Sequence, residues 1–357
     1  MKHPREILLG SQAAAGTLPV CDHYAGVEVR MRKSLQLQAE MAQEFGACVF
    51  DVTLDCEDGA PVGGEHEHAL MVAELALQSM HRAAAQELIA PRVAVRVHPV
   101  DHPAFASDIA TIVARAGADL CHLMIPKVES LADVERAVRE VDHASQAGTR
   151  ALPLHVLIES PAAVHRAFEI AAHPRVQSMS FGLMDFVSAH GGAIPASAMS
   201  MDTAKNPQRL DQFTHPLVVR AKLSIASACH AWGKVPAHCV VTEFADTAVM
   251  QSAARRAATE MGYTRMWSIH PAQIRPILEA FAPTLQDVEA AAKIIAAAAR
   301  ADWAPISVEN QLHDRASYRY YWQILERAHQ TGLCLPSEVQ AYFCAAPRGA
   351  FHTQETA

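Results

Sequence analysis

A series of short apolar runs in this chain each closes on a polar residue of a type used in metal and acid–base chemistry. "CVFDVTLD" (48–55) runs into "CEDG", which gathers Asp55, Glu57 and Asp58. "VAVRVH" (93–98) carries Arg96, "HLMIPK" (122–127) ends in Lys127, and "LHVLIE" (154–159) ends in Glu159. "VQSMSF" (176–181) leads into "GLMDF" with Asp185, and "RMWSI" (265–269) is followed by His270. An unpaired carboxylate behind an apolar approach is costly, so these acids need a compensating charge. Glu159 and Asp185 close successive runs. Carboxylates with no adjoining His or Cys set suit a hard cation such as Mg²⁺, which takes one or two protein carboxylates and completes its octahedron with water and substrate oxygens. The competing reading of Asp185 is a helix N-cap, because "MDFVSAHGG" can begin a helix. Arg96 offers a planar fork for a substrate carboxylate, or an ion pair with the acids of "CEDG". Lys127 can partner a buried acid, and His270 reads as a structural histidine that orients a loop. His66 and His68 in "GGEHEHA" are two apart and share no helix face, so they read as a solvated helix start.

These residues converge only if the chain brings its run ends together. With "LPVCD" (18–22) and "VPAHCVV" (235–241) the β-prone runs number eight. Most are separated by segments with a 3.6-residue apolar period, such as "RKSLQLQAEMAQEF", "SLADVERAVREVDHA" and "DTAVMQSAARRAATEMG". Apolar strands alternating with helices predict parallel strands covered by helices, and eight such units predict an α/β fold of the (β/α)8 TIM-barrel type. In that barrel the strand C-terminal ends share one mouth. A doubly wound open sheet is the runner-up, without support from a G-x-G-x-x-G turn after the first run. At "ADWAPISVENQLHDRASYRYYWQILERA" the chain becomes aromatic and polar. The expected division is a catalytic barrel over 1–301 and a small helical lid or oligomerisation segment over 302–357.

Composition excludes several classes. The 357 residues are 50% hydrophobic, enough for a large core, and the formal net charge of -8 leaves no basic surplus to track nucleic acid. The eight cysteines form no C-x-x-C pair, which suits free thiols in a reducing compartment. No 18-residue apolar stretch occurs, so a soluble, cytoplasmic protein is expected, with no membrane partner.

At "LDCEDGAP", "VRVHPVD", "MIPKVES", "LIESPAAV", "SFGLMDF", "HPLVVRAK" and "WSIHPAQI" the sequence resembles the citrate lyase beta-subunit and malyl-CoA lyase family of CoA-ester lyases, metal-dependent barrels related to the HpcH/HpaI aldolases. The ordered series spans about residues 18 to 280. The resemblance implies Mg²⁺ on Glu159 and Asp185, Arg96 on the acid portion of the substrate, and Glu57 and Asp58 ordering metal waters or the thioester end. Substrate contacts are expected from Gly182, Met184 and Asp185, whose backbone amides can add hydrogen bonds to the acid. The implied reaction cleaves a 3-hydroxyacyl-CoA such as citramalyl-, malyl- or citryl-CoA to acetyl-CoA and a 2-oxo acid, in a homo-oligomer, a trimer or hexamer. The alternatives are a CoA-independent, metal-dependent pyruvate-type aldolase and a non-catalytic acyl-CoA-binding homologue. Three departures stand out: His98 where the family has Asn, Met266 beside Arg265 where it has Lys, and Gly59-Ala60 where Ala-Val follows Glu-Asp. In family members a neighbouring subunit's C-terminal lid supplies a catalytic Asp, and "QLHDRASYR" points at Asp314 as its counterpart.

Overall fold

The structure, a computed structural model, describes residues 3–10, 17–201 and 209–343. It contains two compact units, Leu18–Phe281 and a second made of Met1–Thr17 with Ala282–Ala357. The division therefore falls near 281, not at the composition change near 302. The helix Leu285–Arg300 explains the difference: its Val288, Ala291, Ile295 and Ala298 share a core with Tyr318, Trp322 and Leu325 of the helix Arg315–Gln330. Leu8 of the short helix Pro4–Leu9 joins that core.

Leu18–Phe281 is a closed barrel of eight parallel strands. They are β1 (Cys21–Ala25), β2 (Phe50–Asp55), β3 (Val93–Arg96), β4 (Leu123–Ile125), β5 (Leu154–Ile158), β6 (Val176–Phe181), β7 (Val235–His238) and β8 (Arg265–Ser268). They follow one another in chain order, and β8 closes onto β1 through Cys21 opposite Met266. The predicted TIM barrel is the fold observed.

Side-chain alternation gives each strand two jobs. In β2, Phe50, Val52 and Leu54 enter the large core shared with the helices, while Asp51, Thr53 and Asp55 are buried on the other face. In β5 the same alternation sends Leu154, Val156 and Ile158 to the helices and leaves His155 and Leu157 inside. Met124, Leu157 and Trp267 form a separate apolar cluster within the barrel. Toward the strand starts lies a buried ionic layer. Arg265 Nη2 sits 2.7 Å from Asp51 Oδ2 and 2.9 Å from Asp22 Oδ2, and Arg92 Nε sits 2.5 Å from Asp51 Oδ1. His122 and His155 adjoin the same acids, and burial pushes His122 down to about 4 and His155 well below the ordinary imidazole range.

In the second unit β9 (Ile306–Val308) and β10 (Gln311–His313) form an antiparallel hairpin that precedes the helix Arg315–Gln330. The cysteines among the described residues are free thiols. No helix among the described residues is long and apolar enough to cross a membrane.

Candidate active site

The C-terminal ends of β1, β2, β3, β4 and β5 deliver one connected group of charged side chains, organised around Asp55. This carboxylate ends β2 and is fully buried. Its Oδ1 accepts from Arg96 Nε at 2.6 Å and from the Glu57 amide at 3.0 Å. Its Oδ2 accepts from the Asp58 amide at 3.0 Å and from the Tyr24 hydroxyl. Four donors thus fold the 55–58 turn onto the end of β3. His68, from the helix Glu65–Ala85, fixes the same strand end through a 2.8 Å hydrogen bond to the Asp55 carbonyl. The reading of "GGEHEHA" as wholly solvated is corrected at that residue: His68 is buried, whereas His66 is exposed.

Arg96 closes β3 and makes the ion pairs the acids of "CEDG" allow. Beyond Asp55, its Nη1 is 2.7 Å from Glu57 Oε2 and its Nη2 is 2.7 Å from Asp58 Oδ2. Nη2 also donates to the Tyr24 hydroxyl at 2.7 Å. The guanidinium lies over two aromatic rings, 4.7 Å from the centroid of Tyr24 and 5.9 Å from that of Trp267. Glu57 turns its other oxygen to Lys127, with Oε1 2.9 Å from Nζ. Burial raises the Glu57 carboxyl above its ordinary range despite both cations.

Glu159 follows β5 directly and is buried, 7% exposed. Its Oε2 accepts from the Lys127 backbone amide at 2.6 Å. Lys127 adopts a left-handed φ of 51°, a conformation that non-glycine residues adopt at a cost and that recurs at functional sites. Gly182, after β6, leaves the room that Glu159 fills: a Cβ there would stand 2.3 Å from Glu159 Oε1. Burial, and then the charges of Glu57 and Asp185, push Glu159 up to about 7.

Asp185 lies one turn away in the short helix Leu183–Ser188, whose N-cap is Gly182. It therefore does not cap the helix. It is exposed, makes no side-chain hydrogen bond among the described residues, and is close enough to shift both Glu159 and Lys127. Met184 beside it is half-buried against the barrel core. Five carboxylates, Asp55, Glu57, Asp58, Glu159 and Asp185, thus share a mouth with two cations, Arg96 and Lys127. That surplus of negative charge, with hard oxygen donors, fits a divalent cation of the Mg²⁺ type at Glu159 and Asp185. Two other groups of potential ligands, Asp22–His122–His155 and Asp51–Cys121–His122, belong to the buried layer near the strand starts. There Arg265 and Arg92 already balance Asp22 and Asp51, so no charge is left for a metal to neutralise.

The remaining sequence candidates have local explanations. His270 accepts from the Ala272 amide and stacks on Phe244, in keeping with a structural histidine. His98 Nδ1 is 2.6 Å from the buried Asp108 Oδ2, which also takes the His98 amide, so this side chain ties β3 to the helix Phe105–Ala116. Met266 faces the helix-side core while Arg265 faces the buried ionic layer, so neither stands where a solvent-exposed cofactor contact would. Asp314 belongs to the second unit, where its Oδ1 accepts from the Ala316 and Ser317 amides and caps the helix Arg315–Gln330. Tyr24 and Trp267 are site residues that the reading of strand ends passed over, whereas Asp55 stands where the acids of the second run place it. Period-2 counting through β1 and β8 would have placed both inside the barrel.

Comparison with known proteins agrees with the barrel fold. The HpcH/HpaI aldolase/citrate lyase family model matches residues 35–271. The chain belongs to this family. A second model, that of the C-terminal region of resuscitation-promoting factor Rpf1, matches residues 280–357, close to the extent of the second unit. The chain is 31% identical over 209 residues to the L-malyl-CoA/beta-methylmalyl-CoA lyases of Cereibacter sphaeroides, covering 57% of itself and 65% of their length. It therefore spans just under two thirds of those relatives. The counterpart from Rhodobacter capsulatus is 31% identical over 246 residues, covering 66% of this chain and 76% of that one. Among solved structures, a citrate lyase from Burkholderia xenovorans LB400 superposes with a TM-score of 0.75 at 45% identity, over 96% of this chain and 99% of that one. Protein CitE of Mycobacterium tuberculosis, solved with magnesium, acetoacetate and coenzyme A, has the same fold, with a TM-score of 0.60 at 22% identity over 87% of this chain and 98% of that one.

Proposed function

We propose that the protein is a Mg²⁺-dependent CoA-ester lyase that cleaves a 3-hydroxyacyl-CoA, such as citramalyl-, malyl- or citryl-CoA, to acetyl-CoA and a 2-oxo acid. The observation that carries this reading is Glu159: a buried carboxylate pushed up to about 7 by its burial and by neighbouring acids, bonded to an amide and to no cation among the described residues. Family membership supports the same reaction class.

The reaction removes the hydroxyl proton, breaks the bond between C2 and C3 of the acyl group, and leaves the electron pair on the thioester as an enolate that is then protonated. Arg96 holds the carboxylate of the departing acid, and the aromatic faces of Tyr24 and Trp267 keep the guanidinium level. Glu159 and Asp185 would hold the metal, and Gly182 leaves the room that the Glu159 carboxylate fills. Bound there, Mg²⁺ would supply Lewis-acid stabilisation for the oxygen that becomes the keto group. The Gly182 amide is taken by the Ile158 carbonyl, so the donors offered to the same acid are the first-turn amides from Leu183 to Asp185. Glu57, shared between Arg96 and Lys127, borders the site on the β2 side. Asp314 of a neighbouring copy delivers general acid/base help through Oδ2, the oxygen its cap does not use. Such a lid also excludes water from the enolate.

The test is direct. Purified protein with Mg²⁺ is offered a panel of 3-hydroxyacyl-CoA esters, and released acetyl-CoA is measured with and without a chelator. Chelator-sensitive release from at least one ester is expected. Cleavage of CoA-free 4-hydroxy-2-oxo acids, with every thioester inert, would instead make the protein an aldolase.

A further inference from the structure

Arg96 has little hydrogen-bonding capacity left. Nε donates to Asp55 and the two N–H groups of Nη2 donate to Asp58 and Tyr24, while Nη1 is held in an ion pair 2.7 Å from Glu57 Oε2. A substrate carboxylate gripped by the fork needs two N–H groups side by side, so one present partner must leave. The three acids differ sharply in how firmly they are held. Asp55 is fully buried and bound by four donors. The Glu57 side chain is 7% exposed and shared with Lys127. The Asp58 side chain is 72% exposed, and Arg96 is its one side-chain partner among the described residues.

We propose that Asp58 is a built-in stand-in for the substrate's carboxylate, seated on the outer edge of Arg96 in the empty site and displaced by the incoming acid. The inference rests on the reading of Arg96 as the acid-binding residue and gives Asp58 a specific part in it. Its backbone is anchored by the amide bond to Asp55, so only the side chain needs to swing. The turn that aims it depends on Gly59, where a Cβ would stand 2.0 Å from the Gly26 carbonyl oxygen and 2.5 Å from that of Asp55. Any larger residue must lift the turn away from β1 and loosen Asp58 from Arg96. Gly59, a departure from the family pattern, thereby becomes the residue that sets the internal competitor in place.

Two consequences separate this role from ordinary scaffolding. Removing Asp58 tightens acid binding, because the acid no longer competes with a tethered carboxylate; loss of a structural contact would weaken it. Gly59→Ala shifts affinity the same way by relaxing the turn. The experiment is calorimetric titration of glyoxylate and of pyruvate into wild-type, Asp58→Ala and Gly59→Ala proteins at saturating Mg²⁺. For an exposed ion pair the expected gain in Asp58→Ala is about fivefold in Kd, with a smaller gain in Gly59→Ala. Wild-type binding with an equal or weaker Kd in Asp58→Ala would overturn this inference and leave the reading of Arg96 intact. Absence of binding of either acid to wild type and variants alike would overturn both.

Discussion

Replacement of Glu159 by Gln should make the metal-free protein more stable while removing the proposed metal site. The carboxyl ordinarily titrates near 4.5 and is pushed up to about 7 here, first by burial and then by Glu57 and Asp185. A carboxyl moved from 4.5 to about 7 holds roughly 3 kcal/mol against its ionised form. Because the folded pKa is raised, the favourable contribution is complete below pH 4.5 and is lost as pH rises through 7. At pH 8 the metal-free wild type therefore bears the whole cost, and the neutral amide of Glu159→Gln relieves it. Its oxygen can still accept the Lys127 amide. At a few degrees per kcal/mol, thermal unfolding at pH 8 without metal should move up by roughly 5–10 °C, an upper bound that relaxation around the site will reduce.

Metal affinity should follow the same titration. A divalent cation must displace the Glu159 proton below pH 7, so apparent affinity should be flat above pH 8 and fall about tenfold per unit below 7, roughly a hundredfold by pH 5. Calorimetry at pH 6 in two buffers of different ionisation enthalpy should count close to one proton released per metal bound. Unchanged Mg²⁺ affinity between pH 5.5 and 8, or Mg²⁺ binding by Glu159→Gln as tight as wild type, would refute the assignment. A variant less stable than wild type at pH 8 without metal would refute the electrostatic account of Glu159.

Arg96→Lys keeps the charge but removes the fork that Asp55, Glu57 and Asp58 share, so KM for the acid partner should rise at least tenfold with acetyl-CoA affinity retained; unchanged kinetics for every acid would make Arg96 purely structural. Burial lowers His23 and His122 to about 4, so each contributes up to about 3 kcal/mol that is present above pH 6.5 and lost as pH falls toward 4. Unfolding at pH 4.5 and 7 in the Glu159→Gln background, which removes the opposing titration, should show a steep loss on acidification that is shallower in His122→Gln. Finally, Asp185→Asn and Asp314→Asn protomers, each inactive alone, should regain part of the activity when co-expressed if Asp314 acts on a neighbour's barrel. Confirmed mixed oligomers without recovery would place the lid within its own chain, and full activity of Asp314→Asn alone would remove the residue from the reaction.

The barrel and most of its mouth were legible because each strand writes its two faces in alternate positions. "FDVTLD" and "LHVLI" carry large apolar residues at one parity and Asp, Thr or His at the other, and β2 and β5 place them accordingly. The boundary near 281 was not legible. The Ala-rich helix Leu285–Arg300 carries an apolar stripe that any neighbour can cover, and only tertiary packing shows that Tyr318 and Trp322 cover it. The start of β1 was also misread: the apolar run "LPVCD" precedes most of the strand, which begins at Cys21 and carries Tyr24 to the end where Arg96 waits.

Charge is where local reading and structure part most clearly. Arg265 and Arg96 are both arginines at strand residues facing acids, yet one occupies the first position of β8 and the other the last position of β3. In parallel strands that difference separates the two ends of the barrel. At the closed end Arg265 meets Asp22 and Asp51 and, with Arg92, balances them, so the layer stabilises its own charges without a ligand. At the open end Arg96 pairs with Asp55, Glu57 and Asp58 and Lys127 with Glu57, which leaves Glu159 and Asp185 with no cation partner among the described residues. The sequence lists the same residue types at both ends. Only their position along the strand, followed by a count of charges within reach, separates a self-neutral scaffold from the mouth proposed to take a divalent cation, and that count is what the Glu159 titration measures.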